Sequence, residues 1–359
     1  MRCAAIVVNF HCADETLGAV ESVLRNAECT IHVIDNSVCA DEQVKLELGL
    51  PAGCRLLVSK QNLGFAAACN LAWQETKADY VLLLNPDARL FPGALEQLAS
   101  ALDAEPQLAA VAPTIWWDNE KRWLLPTLLP ETARLWFVRA LARRFPQSIG
   151  HRVALNWLSW QQRLHAGNGP QPVDFLSGAV LLLRRSAVMA AGGLFDERFF
   201  MFYEDADLSR RLRAAGFSLA LVPQAQAVHH WRNRATKNNL MIASAEKYLV
   251  KHYPLLARLS RSFGLPPHDP FAPLAGSVSM RGQLPLFTDF TEWAKWLDRV
   301  LLISVSPTPL GFPAIFRPIG AAPLPVDAEL WEALDPGIYT VMTHTPVGLT
   351  LMAFEKAKR

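Results

Sequence analysis

A few short stretches of this chain carry side chains whose type and spacing could do chemistry. Asn85-Pro86-Asp87 ends an apolar run, residues 80–84. A carboxylate just beyond the carboxyl end of a buried parallel strand lies where open α/β sheets bind ligands, although an Asn-Pro-Asp turn accounts for the residues equally simply. Glu204, Asp205 and Asp207 crowd three carboxylates behind the aromatic run Phe199-Phe200-Met201-Phe202-Tyr203. Acidic residues are favoured at a helix N-terminus. An adjacent pair behind so many aromatics, however, suits a carboxylate whose apolar walls tune it toward general-base work. Asp35 closes another strand-like run, where it can accept from a base N–H or a ribose hydroxyl, or simply close its own turn. Gly64 precedes a helix start, where backbone amides can face a phosphate or merely a loop. His229-His230 offers an imidazole to a hard metal ion beside a lone carboxylate, and is as readily structural.

These groups need elements to hold them. Residues 4–8, 30–34, 56–59, 80–84 and 108–112 are short strand-like apolar runs. Residues 14–26, 66–75 and 95–102 between them read as helices, with Asp14 expected to cap the first. This alternation predicts a mostly parallel sheet with right-handed crossovers, an α/β fold of Rossmann-like type. Residues 173–185 read as a strand pair bent at Gly178, and Ser186 as the cap of a short helix ending at Gly192-Gly193. Residues 205–215 read as a helix with Leu208 and Leu212 inward and Arg210, Arg211 and Arg213 nearer solvent. Gly216 stops it, and residues 217–222 form a strand before Pro223.

With 359 residues, 51% of them hydrophobic and 19% charged, the chain can build one large α/β domain and a smaller appendage. A net charge of +2 gives no reason to expect nucleic acid. No apolar run approaches the ~20 residues of a membrane span, and the N-terminus reads as a first strand without a signal-peptide pattern. The six cysteines all fall within the first 69 residues and form no Cys-x-x-Cys pair, so free thiols in a reducing cytoplasm are expected.

An insertion at about 114–165 differs in character. Trp116, Trp117, Trp123, Trp136, Trp157 and Trp160 interleave with Lys121, Arg122, Arg134, Arg139, Arg143, Arg144 and Arg152. A helix over 134–145 would set Phe137, Val138, Leu141 and Phe145 opposite Arg139 and Arg143. A membrane-interface helix and an insertion packing its tryptophans into a core are equally good readings. Residues 1–265 are assigned to the large domain. Residues 266–359 hold a proline-rich linker from Pro266-Pro267 and a small α+β module, with a helix at 288–300 and strands at 301–305, 339–343 and 347–354. Pro307, Pro309, Pro313, Pro318, Pro323 and Pro325 turn the chain between them.

Taken together, several blocks resemble the family-2 glycosyltransferases, within them the bacterial rhamnosyltransferase-like branch. They are Ile6-Val7-Val8-Asn9-Phe10, Ile34-Asp35-Asn36-Ser37, Asn62-Leu63-Gly64-Phe65-Ala66 with Asn70, and Leu84-Asn85-Pro86-Asp87. A fifth runs from Phe175-Leu176-Ser177-Gly178-Ala179 through Phe195-Asp196-Glu197 to Glu204-Asp205-x-Asp207-Leu208-x-x-Arg211. The resemblance covers residues 3–236 and implies a GT-A fold and inverting transfer from a nucleotide-sugar donor. It implies that Asn9, Asp35, Asn62, Gly64, Phe65, Asn85, Asp87 and Gly178 line the donor site. Asn85 stands where the family's Asp-x-Asp motif has its first carboxylate, which leaves Asp87 as ligand of Mg2+ or Mn2+, with His229, or His230, as the second. Asp205 matches the general base, and Glu204 would orient it or the acceptor. The implied donor is dTDP-L-rhamnose before other UDP- or GDP-sugars. The implied acceptor is a cell-surface glycan or a polyprenol-linked one, met by a cytoplasmic protein in peripheral contact with the inner membrane face. A nucleotidyltransferase would need a basic glycine-rich loop that Asn9-Phe10-His11 lacks. A decayed, purely sugar-binding protein would not be expected to keep Asp87, Asp205 and His229.

Overall fold

The computed structural model describes residues 2–230, 238–262, 285–297, 301–306, 314–318, 328–334, 336–345 and 348–357. The first part alternates as expected: β1 (Cys3–Asn9), α1 (Ala13–Leu24), β2 (Thr30–Asp35), α2 (Ala40–Gly49), β3 (Arg55–Val58), α3 (Gly64–Glu75) and β4 (Tyr80–Leu84). Then come β5 (Ala88–Leu90), α4 (Ala94–Ala104), β6 (Leu108–Trp116), α5 (Ala133–Arg144), α6 (His151–His165) and β7 (Gln171–Val173). β8 (Val180–Arg184), α7 (Arg185–Ala190), α8 (Glu204–Ala214), β9 (Ser218–His229), α9 (Asn238–His252) and α10 (Pro254–Ser262) complete this part.

These strands form one nine-stranded sheet in the order β3-β2-β1-β4-β8-β6-β9-β5, with β7 also on β9. β3, β2, β1 and β4 run parallel. β8 is antiparallel to both β4 and β6, and β6 is parallel to β9, so β6 and β9 point the same way as the first four strands. The sheet is therefore mostly unidirectional, with β5, β7 and β8 reversed. Both faces are covered, and the period-2 alternation of a strand divides its residues between them. Ala5 and Val7 join Val20, Val23, Leu95 and Leu98 in one core layer. Ile6 and Val8 join Ala68, Ala72, Leu208 and Leu212 in the other. The carboxyl ends of β1, β2 and β4 consequently open on the same edge.

Several local expectations are corrected. β7 and β8 do not pair with each other: β7 pairs with β9, and β8 lies between β4 and β6. Cys12, not Asp14, precedes α1, and Ser186 lies inside α7. β6 runs through Pro113, and β9 runs through Pro223 to His229. The register jumps from Pro113↔Val222 to Thr114↔Gln226, so Pro223, Gln224 and Ala225 bulge out of the ladder. Proline has no N–H for a ladder, and a bulge is where a strand tolerates it.

The remaining elements are β10 (Leu286–Phe287), α11 (Phe290–Leu297), β11 (Leu301–Ser306), β12 (Ile315–Phe316), α12 (Ala328–Ala333), β13 (Gly337–Thr345) and β14 (Gly348–Lys356). They build a second sheet, β10-β14-β13-β11-β12. This is the expected small α+β module. Its core holds Trp293, Trp331 and Phe354 together with Trp117 and Trp123 of the insertion. Phe316 and Met342 pack with Leu124, Trp157 and Leu158, and Leu124 and Phe316 exchange backbone hydrogen bonds of 2.7 and 3.0 Å. These insertion tryptophans are core residues. The expected polarity of α5 is reversed: Phe137 is 65% exposed, while Arg139 is buried and pairs with Glu131 at 2.9 Å. Pro266-Pro267 and the boundary at 265, as well as Pro307, Pro309, Pro313, Pro323 and Pro325, lie outside the described residues. Among the described residues, no helix is long and apolar enough to cross a membrane.

Candidate active site

Asp87 owes its position to two backbone events. Asn85 N–H donates to the Ala179 carbonyl at 2.8 Å, and the Asn85 carbonyl accepts from Ala88 N–H at 3.0 Å, which closes the Asn-Pro-Asp turn. β5 then pairs antiparallel with the end of β9, Ala88 opposite His229. Asp87 Oδ1 and His229 Nε2 come to 3.1 Å, the imidazole nearly buried and the carboxylate 39% exposed. His230 meets Asp87 through its backbone amide, 3.1 Å from the Asp87 carbonyl. The turn is tied from beneath by Arg89, whose Nη1 donates to the Pro86 and Ala88 carbonyls at 2.6 and 2.7 Å. Gly18 on α1 makes room for this guanidinium, since a Cβ there would lie 2.5 Å from Nη2.

The pair fits a divalent ion. Two neighbouring ligands of an octahedral ion at ~2.1 Å stand roughly 3 Å apart, and Mg2+ typically takes one or two protein ligands and completes its shell with phosphate and water. Among the described residues, no group of three or more His, Cys, Asp or Glu side chains could hold a metal. An ion on this pair would complete its shell with substrate phosphate and water.

At the neighbouring strand ends, the polar side chains are locked to one another. Asn9 is fully buried: its Nδ2 lies 3.0 Å from Asp35 Oδ1, 3.0 Å from Ser37 Oγ and 3.1 Å from Glu42 Oε2. Its Oδ1 accepts from Thr16 Oγ1 at 2.9 Å. Asn9 thus stands behind Asp35 and orients it, while Ser37 N–H donates to the same Asp35 oxygen at 3.1 Å. Asn36, for which its place in the motif suggests no role, organises the next loop. It donates to Asn62 Oδ1 at 3.0 Å and accepts from Leu63 N–H at 2.8 Å, and Asn62 Oδ1 takes the Gly64 amide at 2.9 Å. Gly64 has φ +77°, and a Cβ there would collide with the Phe200 carbonyl, which also accepts from Phe65 N–H at 2.7 Å. Only glycine takes this conformation at no steric cost.

The carboxylate pair begins α8 just after a strained entry. Phe202 and Tyr203 both have left-handed φ, 69° and 67°, an uncommon conformation for bulky residues and one that clusters at functional sites. Asp205 Oδ2 accepts from Gly178 N–H at 3.1 Å and Oδ1 from Ala206 N–H at 2.8 Å. Gly178 therefore positions Asp205, and the adjoining Ala179 carbonyl holds Asn85, so two consecutive residues link both carboxylate sites. Burial pushes the Asp205 carboxyl up to about 6, against the pull of those amides. Glu204 is pushed well above the ordinary range, first by burial and then by the Asp205 charge, and its Oε2 has no hydrogen-bond partner among the described residues. Of the two, only Asp205 is drawn back down by the Gly178 and Ala206 amides, so the proton is held more firmly on Glu204 than on Asp205.

Asp207 has a different task. Fully buried, it binds Arg211 Nε at 2.8 Å, Lys251 Nζ at 2.5 Å and His252 Nε2 at 2.7 Å. Burial alone would raise its carboxyl, but these partners hold it down at about 2. Arg211 in turn donates to the carbonyls of Ala191, Gly193 and Leu194. It staples the Gly-Gly turn instead of facing solvent. The i,i+4 spacing of Asp207 and Arg211 is the signal that could have revealed it. Asn70 pins the same segment, exchanging hydrogen bonds of 2.9 and 3.1 Å with the Phe195 backbone.

Comparison with known proteins agrees with this arrangement. The family model for glycosyl transferase family 2 matches residues 4–189, just over half of the chain. An N-acetylglucosaminyl-diphospho-decaprenol L-rhamnosyltransferase of Mycobacterium tuberculosis is 32% identical over 187 residues, covering 49% of this chain and 58% of that protein. The match thus spans little more than half the relative's length. Rhamnosyltransferase WbbL of Escherichia coli is 42% identical over 65 residues, 18% of this chain and 24% of its own. Among solved structures, GalNAc-T7 with UDP, GalNAc and Mn2+ superposes with a TM-score of 0.49 at 15% identity, covering 75% of this chain and 52% of that one. A mannosyltransferase from Pyrobaculum calidifontis in complex with GDP-Man and Mn2+ gives 0.46 at 15% identity, covering 72% and 64%. With the family model matching more than half of the chain, from β1 through α7, the chain belongs to glycosyl transferase family 2.

Proposed function

We propose that the protein is an inverting glycosyltransferase that moves L-rhamnose from dTDP-L-rhamnose to a hydroxyl of a polyprenol-diphosphate-linked glycan at the cytoplasmic membrane face. The observation that carries the reaction type is Asp205, its carboxyl raised to about 6 and held by the Gly178 amide beside the buried Glu204. Such a group is ionised at neutral pH and still basic enough to draw a proton in the transition state. Asp205 takes the acceptor hydroxyl proton as that oxygen bonds to the sugar's anomeric carbon. The bond from that carbon to the diphosphate breaks on the opposite side. No protein nucleophile is required.

Asp35 Oδ1 is taken by Asn9 and the Ser37 amide, which leaves Oδ2 for the base or ribose of the donor. Asp87 and His229 would hold a divalent ion, which would supply positive charge to the departing diphosphate. The sugar and acceptor rest on the curated relatives, whose printed names are rhamnosyltransferases and in one case specify a diphospho-decaprenol acceptor.

A thermal-shift series of nucleoside diphosphates and their sugars, with and without Mn2+, tests the donor. Stabilisation by dTDP compounds alone, enhanced by Mn2+, is expected. A response confined to UDP or GDP compounds would overturn rhamnosyl transfer while leaving the reaction type standing.

A further inference from the structure

Residues 132–173 contain six arginines and no aspartate or glutamate, and residues 247–268 contain two lysines and two arginines, again without a carboxylate. The whole chain carries only +2, so positive charge is concentrated in these stretches. They meet in space. Trp136 on α5 lies 5.9 Å from Tyr253 at the α9–α10 junction, and the Tyr248 and Tyr253 hydroxyls donate to the Glu131 carbonyl at 3.1 and 3.4 Å. The Glu131 carboxylate is drawn inward by Arg139 at 2.9 Å and by Trp136 Nε1 at 2.7 Å. It therefore does not offset the surface charge.

Ala133, Arg134, Phe137, Ala140 and Arg144 are all exposed and recur at helical spacing along one side of α5. Phe137 is 65% exposed and Phe145, just past the helix, 45%. On α10, Leu255 is 73% exposed and stands one turn from the exposed Arg258. A single exposed hydrophobe needs no explanation. Aromatic and aliphatic side chains standing among arginines, on neighbouring helices free of carboxylates, have the make-up of an interfacial surface.

We propose that α5 and α10 form a docking face for an anionic lipid bilayer. Phe137, Phe145 and Leu255 enter the headgroup boundary, and Arg134, Arg144 and Arg258 meet lipid phosphates. The charge selects this occupant, because a second copy of the same cationic face would be repelled. The face also lies close to the carboxylate pair: Tyr248, bonded to Glu131, packs against Tyr203 at 5.5 Å, and Tyr203 precedes Glu204 and Asp205. Docking here brings the base's supporting residues to the surface from which a lipid-linked hydroxyl would arrive. That consequence rests on the acceptor proposed above, whereas the lipid contact itself does not.

The test is co-sedimentation of the full chain, without donor or acceptor, with vesicles of phosphatidylcholine alone or mixed with phosphatidylglycerol. Binding to the mixed vesicles only, weakened by added salt, is expected. Two paired variants, Phe137→Ser with Leu255→Ser and Arg134→Glu with Arg144→Glu, should each reduce that binding about tenfold or more. Both should keep the parental melting temperature and nucleotide response. Equal binding to neutral vesicles, no binding, or variants that bind as the parent does would overturn the proposal. So would an effect of the variants confined to self-association or to capture of an acidic protein. Loss of any nucleotide response with vesicle binding intact would sink the transferase reading and leave this one standing.

Discussion

At the scale of single residues, the site depends on two adjacent carboxyls with different proton affinities. Glu204 and Asp205 share a buried helix start, yet only Asp205 receives backbone amides from Gly178 and Ala206. Asp205→Asn should abolish sugar transfer while donor binding survives, measured as turnover beside nucleotide titration. Near-parental turnover would remove Asp205 from the role of base. The stability sign can be worked out as well. A folded-state carboxyl at about 6, above its ordinary 3.8, favours the fold below that ordinary value, and this contribution is lost as pH rises through 6. The Asn variant should therefore be the more stable protein above pH 6, by on the order of 2–3 kcal/mol, with the gap closing as pH falls toward 4. Denaturant midpoints across that range check it. In the parent, kcat/KM should fall as pH drops below about 6. His229→Ala should weaken Mn2+-dependent nucleotide binding far more than His230→Ala, since the His229 imidazole stands 3.1 Å from the Asp87 carboxylate whereas His230 meets Asp87 through its backbone amide. The types of these residues were readable because carboxylates after apolar runs are conspicuous. The choice of His229 was not, because it depends on the register of β9 against β5.

At the scale of elements, the alternating strands and helices of residues 3–84 were legible because buried parallel strands are continuous apolar runs. The reading failed where prolines sit inside strands. Pro113 and Pro223 look like strand ends, but the bulge that Pro223 opens lets β9 continue to His229 and deliver the imidazole to Asp87. Asp207 is the second case. Among three clustered carboxylates it looks reactive, yet it anchors α8 to α9. Asp207→Asn would leave Arg211, Lys251 and His252 without their shared anion and should cost about 3–5 kcal/mol, the range for breaking a buried ion pair. Because its folded value of about 2 lies below the ordinary one, its stabilisation is present at neutral pH and is lost as pH falls through 2. Gly64→Ala tests the loop that grips Phe200. A left-handed alanine costs roughly 1–2 kcal/mol before the clash with the Phe200 carbonyl is counted. Reduced nucleotide affinity together with a lower urea midpoint is expected.

At the scale of the whole molecule, the insertion and the C-terminal strands complete each other's core, a relation that no local pattern could show. Trp123 is fully buried, but most of the core residues clustered with it lie about 160–230 positions further along the chain. Periodicity reports which face of a helix is apolar and is silent about what will cover it. The amphipathic reading of α5 failed for the same reason, since Glu131, which draws Arg139 inward, precedes the helix. Phe316 is the place to test this union. It is fully buried, its ring stands 6.1 Å from Trp157 and 5.8 Å from His165, and its backbone pairs with Leu124. Phe316→Ala should cost about 3–5 kcal/mol, the usual range for truncating a buried aromatic. If the insertion and the C-terminal sheet are one cooperative unit, hydrogen exchange should accelerate together in residues 117–125 and in β11 and β13, while β1, β2 and β4 stay protected. Acceleration confined to the C-terminal strands would mean that the insertion is held by the large sheet alone. The contact between Leu124 and Phe316 would then be a surface between separately folded units.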